Sequence, residues 1–138
     1  MIKMKRIKNE SLIRDKADLL IDVDVKNKKI IKKINYRYRW LAYYFKELLP
    51  AKFKVYKTKK GYHFYIYLLN KNQNYKNYEL VLFQSLLMSD WLRECRNYYR
   101  IKQNFIDWNI MFSVKRNEVN EKFFRCYIIK RDYGLKRK

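Results

Sequence analysis

The sequence predicts an α+β fold, an antiparallel sheet with two helices on one face. Three observations point there. Apolar residues alternate over 18–26, 52–58 and 62–69, the pattern of half-buried strands. They recur at helical spacing over 36–49 and again over 78–103. The resulting order, β-α-β-β-α-β plus one further strand, is one that a single sheet accommodates with both helices packed on the same side.

Residues 1–17 read as a basic, charged arm with a short helical turn around Glu10–Lys16. Strand one follows over 18–26. Its core face is expected to be Leu19, Ile21, Val23 and Val25, and its open face Leu20, Asp22, Asp24 and Lys26. Residues 26–39 hold seven basic residues and no acid, and read as a loop or short strand extension anchored by Ile30 and Ile31. Helix one is expected from Tyr36 to Leu49, with Trp40, Leu41, Tyr44, Phe45 and Leu48 on one face. Pro50 closes it, as a proline just beyond a helix end does. The runs 52–58 and 62–69 flank Lys59-Lys60-Gly61, a compact hairpin signal. A single long helix is expected over 78–103, then a strand over 109–115, a last strand over 122–130, and a basic tail over 131–138. One domain, 18–130, is therefore expected, with a ferredoxin-like or RNA-recognition-like arrangement in which strands one and three are central neighbours.

Charge restricts the partners. The 138 residues carry 34 Lys+Arg against 13 Asp+Glu, a formal net charge of +21. So strong a field favours a polyanion, because phosphate contacts release condensed counterions. Single-stranded DNA or RNA is the first expectation. Alternating bases and aromatics at Tyr36-Arg37-Tyr38-Arg39-Trp40 suit phosphate contact plus base stacking. Lys28, Lys29, Lys32, Lys33, Arg37 and Arg39 are the expected nucleic-acid contacts. No apolar run reaches membrane-spanning length and no secretory signal follows the basic N-terminus, so a cytoplasmic protein without a membrane partner is expected. Cys95 and Cys126 lie apart and the chain has one histidine, which excludes a structural zinc site built from Cys and His alone.

Two segments carry the chemistry. In strand one Asp22 and Asp24 share a face. In strand three His63 shares a face with Tyr65 and Tyr67. Two carboxylates two residues apart suit Mg²⁺ or Mn²⁺, hard cations that prefer oxygen ligands and that clamp triphosphates. A third acid is expected from Asp107 in preference to Asp90, which falls in the middle of the expected long helix. Paired-histidine nuclease chemistry is excluded by the lone histidine. With only two glycines, no Gly-rich phosphate loop is present.

The run Leu20-Ile21-Asp22-Val23-Asp24, followed by Gly61-Tyr62-His63 opening a strand, resembles the first two motifs of the archaeo-eukaryotic primase superfamily. Ile106-Asp107 is similar to its third motif. The stretch from Leu92-Arg93 through Arg100 is similar to the Arg-rich helix of small primase-like proteins from archaeal viruses and plasmids. The resemblance implies a metal-dependent nucleotidyltransferase core serving replication of a mobile element. Asp22, Asp24 and Asp107 would hold metal, and His63 and Lys60 would contact an incoming nucleoside triphosphate. The small motif-two residue falls on Gly61 within a Lys-rich turn, and the chain has no zinc stem or helicase domain. A rival resemblance uses the same strand. Lys60-Gly61-Tyr62-His63-Phe64-Tyr65-Ile66-Tyr67 looks like the RNP1 pattern of RNA-recognition motifs, which would make Tyr65 and Tyr67 base-stacking platforms in a non-catalytic binding protein. Against it, strand one offers carboxylates where that family offers an aromatic.

Overall fold

A computed structural model of the protein describes residues 17–111, 114–115 and 118–130. The expected N-terminal turn, nearly all of the basic arm and the basic tail lie outside them. Strands β1 (Leu19–Val23), β2 (Ala51–Lys57) and β3 (Tyr62–Leu68) are separated, between the first two, by helix α1 (Lys29–Tyr44) and a 3₁₀ turn at Lys46–Leu48. Helices α2 (Asn77–Leu86) and α3 (Trp91–Lys102) follow, then two-residue strands β4 (Val114–Lys115) and β5 (Glu118–Val119), and finally β6 (Lys122–Ile129). The four long strands form an antiparallel sheet ordered β1-β3-β2-β6, while β4 and β5 pair only with each other.

The mixed α+β class, the antiparallel sheet and the β1–β3 pairing match the expectation. The strand order does not match a ferredoxin-like sheet. There the last strand flanks the first; here β6 pairs with β2, and β1 is an edge strand rather than a central one.

The core lies on one side of the sheet. Leu19, Ile21 and Val23 meet Phe53, Val55, Phe64 and Ile66 beneath Ile30, Ile31, Ile34 and Tyr38 of α1 and Phe83 of α2. The alternation that assigned Leu19, Ile21 and Val23 to the core therefore holds, but Val25 lies past the strand end and is exposed. The other face is not open as expected. Leu20, Tyr56, Tyr65 and Met111 form a second buried cluster there, because the chain after α3 folds back across it.

Helix boundaries depart from the sequence reading: α1 ends at Tyr44, five residues before the expected Leu49, with Tyr44 and Phe45 of its expected apolar face exposed, and two further differences stand out. Helix α1 starts at Lys29, seven residues before the expected start, so the basic run is helical rather than a loop. Ile30, Ile31 and Ile34 supply the buried stripe, and the lysines between them fall on the solvent side. The expected long second helix is broken in two. Met88 takes a left-handed conformation, φ 73°, and Met88 N–H and Ser89 N–H donate to the Ser85 and Gln84 carbonyls. That is the hydrogen-bond pattern of a Schellman cap. Asp90 then caps α3 by accepting from Arg93 N–H at 2.9 Å. The strand expected over 109–115 is limited to Val114–Lys115 within the described residues; Asn109 to Met111 are irregular.

The break in the helix closes the free edge of β1. Leu20 N–H donates to Gln84 Oε1 at 2.9 Å and Asp22 N–H to Ser89 Oγ at 3.1 Å. Leu20 O accepts from Arg93 Nη1 at 3.1 Å and Asp22 O from Asp90 N–H at 2.7 Å. Four edge groups that a neighbouring strand would otherwise satisfy are thus met by the α2–α3 unit.

Candidate functional site

Asp22 and His63 face each other across the β1–β3 ladder. His63 Nε2 lies 3.4 Å from Asp22 Oδ1, and Nδ1 lies 2.6 Å from Glu121 Oε2. The Tyr65 hydroxyl donates to the same Glu121 oxygen. Glu121 immediately precedes β6 and is buried with His63, so the imidazole sits between two carboxylates. Burial alone would push the His63 pKa down. Hydrogen bonds and charge from Asp22 and Glu121 outweigh burial and hold it above the ordinary histidine value. The imidazolium, with two N–H donors, is the form that satisfies both neighbours.

Asp24 lies just past β1 and is exposed. Its carboxyl is nonetheless pushed up, first by partial burial, then by the negative charges of Asp22 and Asp90; Lys60 and His63 act in the opposite direction. Three carboxylates, Asp22, Asp24 and Asp90, therefore share one electrostatic neighbourhood. Asp90 is brought there by the helix break, which hydrogen-bonds its backbone to Asp22.

Asp22, His63 and Asp90 line a cleft of about 250 Å³ together with three arginines of α3, Arg93, Arg96 and Arg100. Spacings of three, four and seven residues put these arginines on one helical stripe. They differ in freedom. Arg93 is buried and spends its guanidinium on Ile110 O, Leu20 O, Asn109 Oδ1 and the Glu94 carboxylate. Glu94 in turn accepts from Gln84 Nε2, Ser89 Oγ and Asn97 Nδ2 at 2.6, 2.7 and 3.0 Å. Arg93 thus ties α3 to the sheet edge, while exposed Arg96 and half-buried Arg100 offer their charge to the cleft. The Arg100 pKa is lowered, first by burial and then by the Arg93 and Arg96 charges.

Asp107, the expected third carboxylate, is half-buried beyond α3 and, like Asp24, is not part of the cleft lining; Asp90 lines it beside Asp22. Tyr65 is fully buried, so its ring is not a platform for a base. Tyr67 is half-buried, with Lys54 Nζ 5.4 Å over its ring. Lys60 is exposed in the hairpin turn. Lys28, Lys29, Lys32, Lys33 and Arg37 are exposed along α1 and Arg39 is half-buried. This helix covers the face of Leu19 and Ile21, so the basic stripe lies on the opposite side of the sheet from Asp22 and His63.

Among the described residues, no three His, Cys, Asp or Glu side chains gather closely enough to hold a metal ion by themselves. Two nearby carboxylates are still the usual protein share of a Mg²⁺ site, where water and substrate phosphates complete the shell. Asp22 and Asp24 carry that oxygen-donor chemistry, but of the two only Asp22 lines the cleft. Among the described residues no helix is long and apolar enough to cross a membrane.

Sequence reasoning missed Glu121, which no motif marks, and passed over Asp90, whose cap signature Ser-Asp-Trp was read as helix interior. Comparison with family models, with curated proteins and with solved structures yields no match.

Proposed function

We propose that the protein is a small primase-like nucleotidyltransferase core acting on single-stranded nucleic acid in the replication of a mobile element. One observation carries the reading: Asp22, His63 and Asp90 share a cleft with Arg93, Arg96 and Arg100. Acidic and basic groups lining one cleft suit a substrate that brings phosphate together with a cation. Arg96 and Arg100 would bind phosphate oxygens, an anion offsetting the repulsion among the cations of the stripe. Asp22 and Asp24 are the residues that would hold Mg²⁺ or Mn²⁺, which supplies Lewis-acid polarisation of the phosphate and a more acidic attacking hydroxyl. Glu121 orients the imidazole, and the Nε2 proton that faces Asp22 would be handed to a phosphate or departing pyrophosphate oxygen bound beside it. Arg93 keeps α3 against β1 and so sets the width between the walls.

The test incubates the protein with labelled nucleoside triphosphates, Mn²⁺ or Mg²⁺ and a single-stranded template, beside Asp22→Asn/Asp24→Asn. Product formed by the native chain and lost in the double variant is expected. Product of equal yield from both overturns the assignment.

A second reading, a nucleic-acid-binding protein without catalysis, is favoured by the full engagement of His63, both of whose ring nitrogens already face carboxylates. Binding unchanged in the double variant, with no product from either protein, selects it.

A further inference from the structure

The Lys-rich turn that departs from the primase pattern opens onto a cavity of its own. Lys26, Lys28, Lys57 and Lys59 line a space of about 330 Å³ with Thr58 and Tyr62. The four lysines come from three places: the exit of β1, the cap of α1, and the β2–β3 hairpin. All four side chains are exposed, and none is ion-paired with a described carboxylate. Beneath them Phe124 of β6 carries Lys57 Nζ at 4.9 Å, Lys28 Nζ at 6.0 Å and the Arg125 guanidinium at 5.2 Å from its ring centre. Each of these contacts orders an ammonium or guanidinium group over an apolar surface without neutralising it. Tyr62, whose hydroxyl donates to Lys26 O at 3.4 Å, fixes the floor.

This cavity is separate from the Asp22–His63 cleft. Tyr62 belongs to the α1-side core and His63 points to the other face. Gly61 marks the boundary, its backbone packed directly on Val23 and Val25.

We infer that this lysine cavity is a phosphate-binding subsite, built to take consecutive phosphate groups. No carboxylate lines it, so the cation-and-acid chemistry of the cleft has no counterpart here and the site recognises anions alone. Its chemistry fits two sources, the diester backbone of a single strand or the polyphosphate tail of a nucleotide. The inference rests on a phosphate-bearing partner and not on catalysis at Asp22.

Three proteins are compared in the full chain by fluorescence anisotropy with a labelled 5′-hydroxyl oligonucleotide and by calorimetry with inorganic tripolyphosphate. They are the native protein, Lys28→Ala/Lys57→Ala, and Lys46→Ala/Lys71→Ala, which removes the same charge from exposed positions elsewhere. For a backbone site, the Lys28/Lys57 variant is expected to lose roughly tenfold or more in oligonucleotide affinity at about 0.1 M salt. Its log–log salt slope is expected to fall by about 1.4, near 0.7 for each lost single-strand contact. Loss of tripolyphosphate binding with oligonucleotide affinity no lower than in the Lys46/Lys71 control supports the subsite with a nucleotide tail as its source. Losses equal to those of the control with both probes, or no loss with either, overturn it. Lys28→Arg/Lys57→Arg is expected to restore binding, and circular dichroism of each variant confirms the fold. Polymerase activity does not enter these readouts. Failure here leaves the acidic cleft untouched, and an inactive Asp22→Asn protein still reports on the lysines.

Discussion

Replacing Gly61 with alanine tests how the hairpin holds the acidic strand in place. A Cβ built at Gly61 would lie 1.8 Å from Val23 O and 2.7 Å from Val25 N. The first contact is about 1.6 Å inside ordinary van der Waals separation, and both obstacles are backbone. No rotamer relieves it, so the end of β1 must move away from β3. The pairs at risk are Val23↔Tyr62 and Asp22↔His63. Loss of two ladder hydrogen bonds at about 1 kcal/mol each, with a further ~1 kcal/mol from strain and from partly lifting buried Val23, gives a destabilisation near 3 kcal/mol. In a domain of this size that corresponds to a fall in Tm of about 10 °C. The movement would also carry Asp22 away from His63, so the imidazole pKa should drop towards the ordinary value. Thermal denaturation measures the first effect. The second is read by proton–carbon NMR of the imidazole, which is unambiguous because the chain has one histidine. A Gly61→Ala protein melting within about 2 °C of the native one, with an unchanged His63 titration, refutes the close approach.

Other outcomes follow from the same geometry. Because the folded His63 pKa is raised, its contribution to stability is fully present below the unfolded value of about 6.5 and is lost as pH rises through the folded value. Denaturant midpoints should therefore decline over that window, and Glu121→Gln should flatten the decline and lower the imidazole pKa. Arg93→Ala leaves the buried Glu94 carboxylate without its cation and should cost about 3–5 kcal/mol in urea denaturation. Arg93→Lys should recover only part of that, since an ammonium cannot reproduce the fork. Asp90→Ala should cost about 1 kcal/mol through the lost α3 cap. Asp90→Asn should keep the cap yet let the Asp24 carboxyl titrate at lower pH, followed by carboxyl carbon shifts.

Strand periodicity was a good guide where one face of a strand is buried and a poor one where tertiary packing intervenes. Leu19, Ile21 and Val23 were legible as core because α1 and α2 cover that side. Leu20 was read as open-faced because nothing in strand one announces that Met111 will cover it. Helix α1 begins earlier than charge suggests: Lys28 to Lys33 read as a charged loop, although Ile30, Ile31 and Ile34 already carry the helical spacing. The α2–α3 break hid behind Met88, where a left-handed residue is usually glycine. That error also hid Asp90, since a residue inside a continuous helix has no reason to face β1. Asp22 and His63 were legible as neighbours from motif and topology together. Glu121 was not, because only the fold brings it within 2.6 Å of His63 across 58 residues of chain.

The closure of β1 by Gln84, Ser89, Asp90 and Arg93 gives the sheet a direction of growth. A strand donated by another chain cannot add beside Asp22, where the main-chain positions are already taken. Among the described residues only β6 presents an outer border, and it carries Lys122 and Arg125, with Lys130 just past its end. At about 4.8 Å per strand, that border stands roughly 14 Å from β1. Any assembly that lengthens this sheet would therefore enlarge the platform while leaving the acidic mouth accessible, and the basic residues along β6 would make an acidic strand the better-tolerated addition.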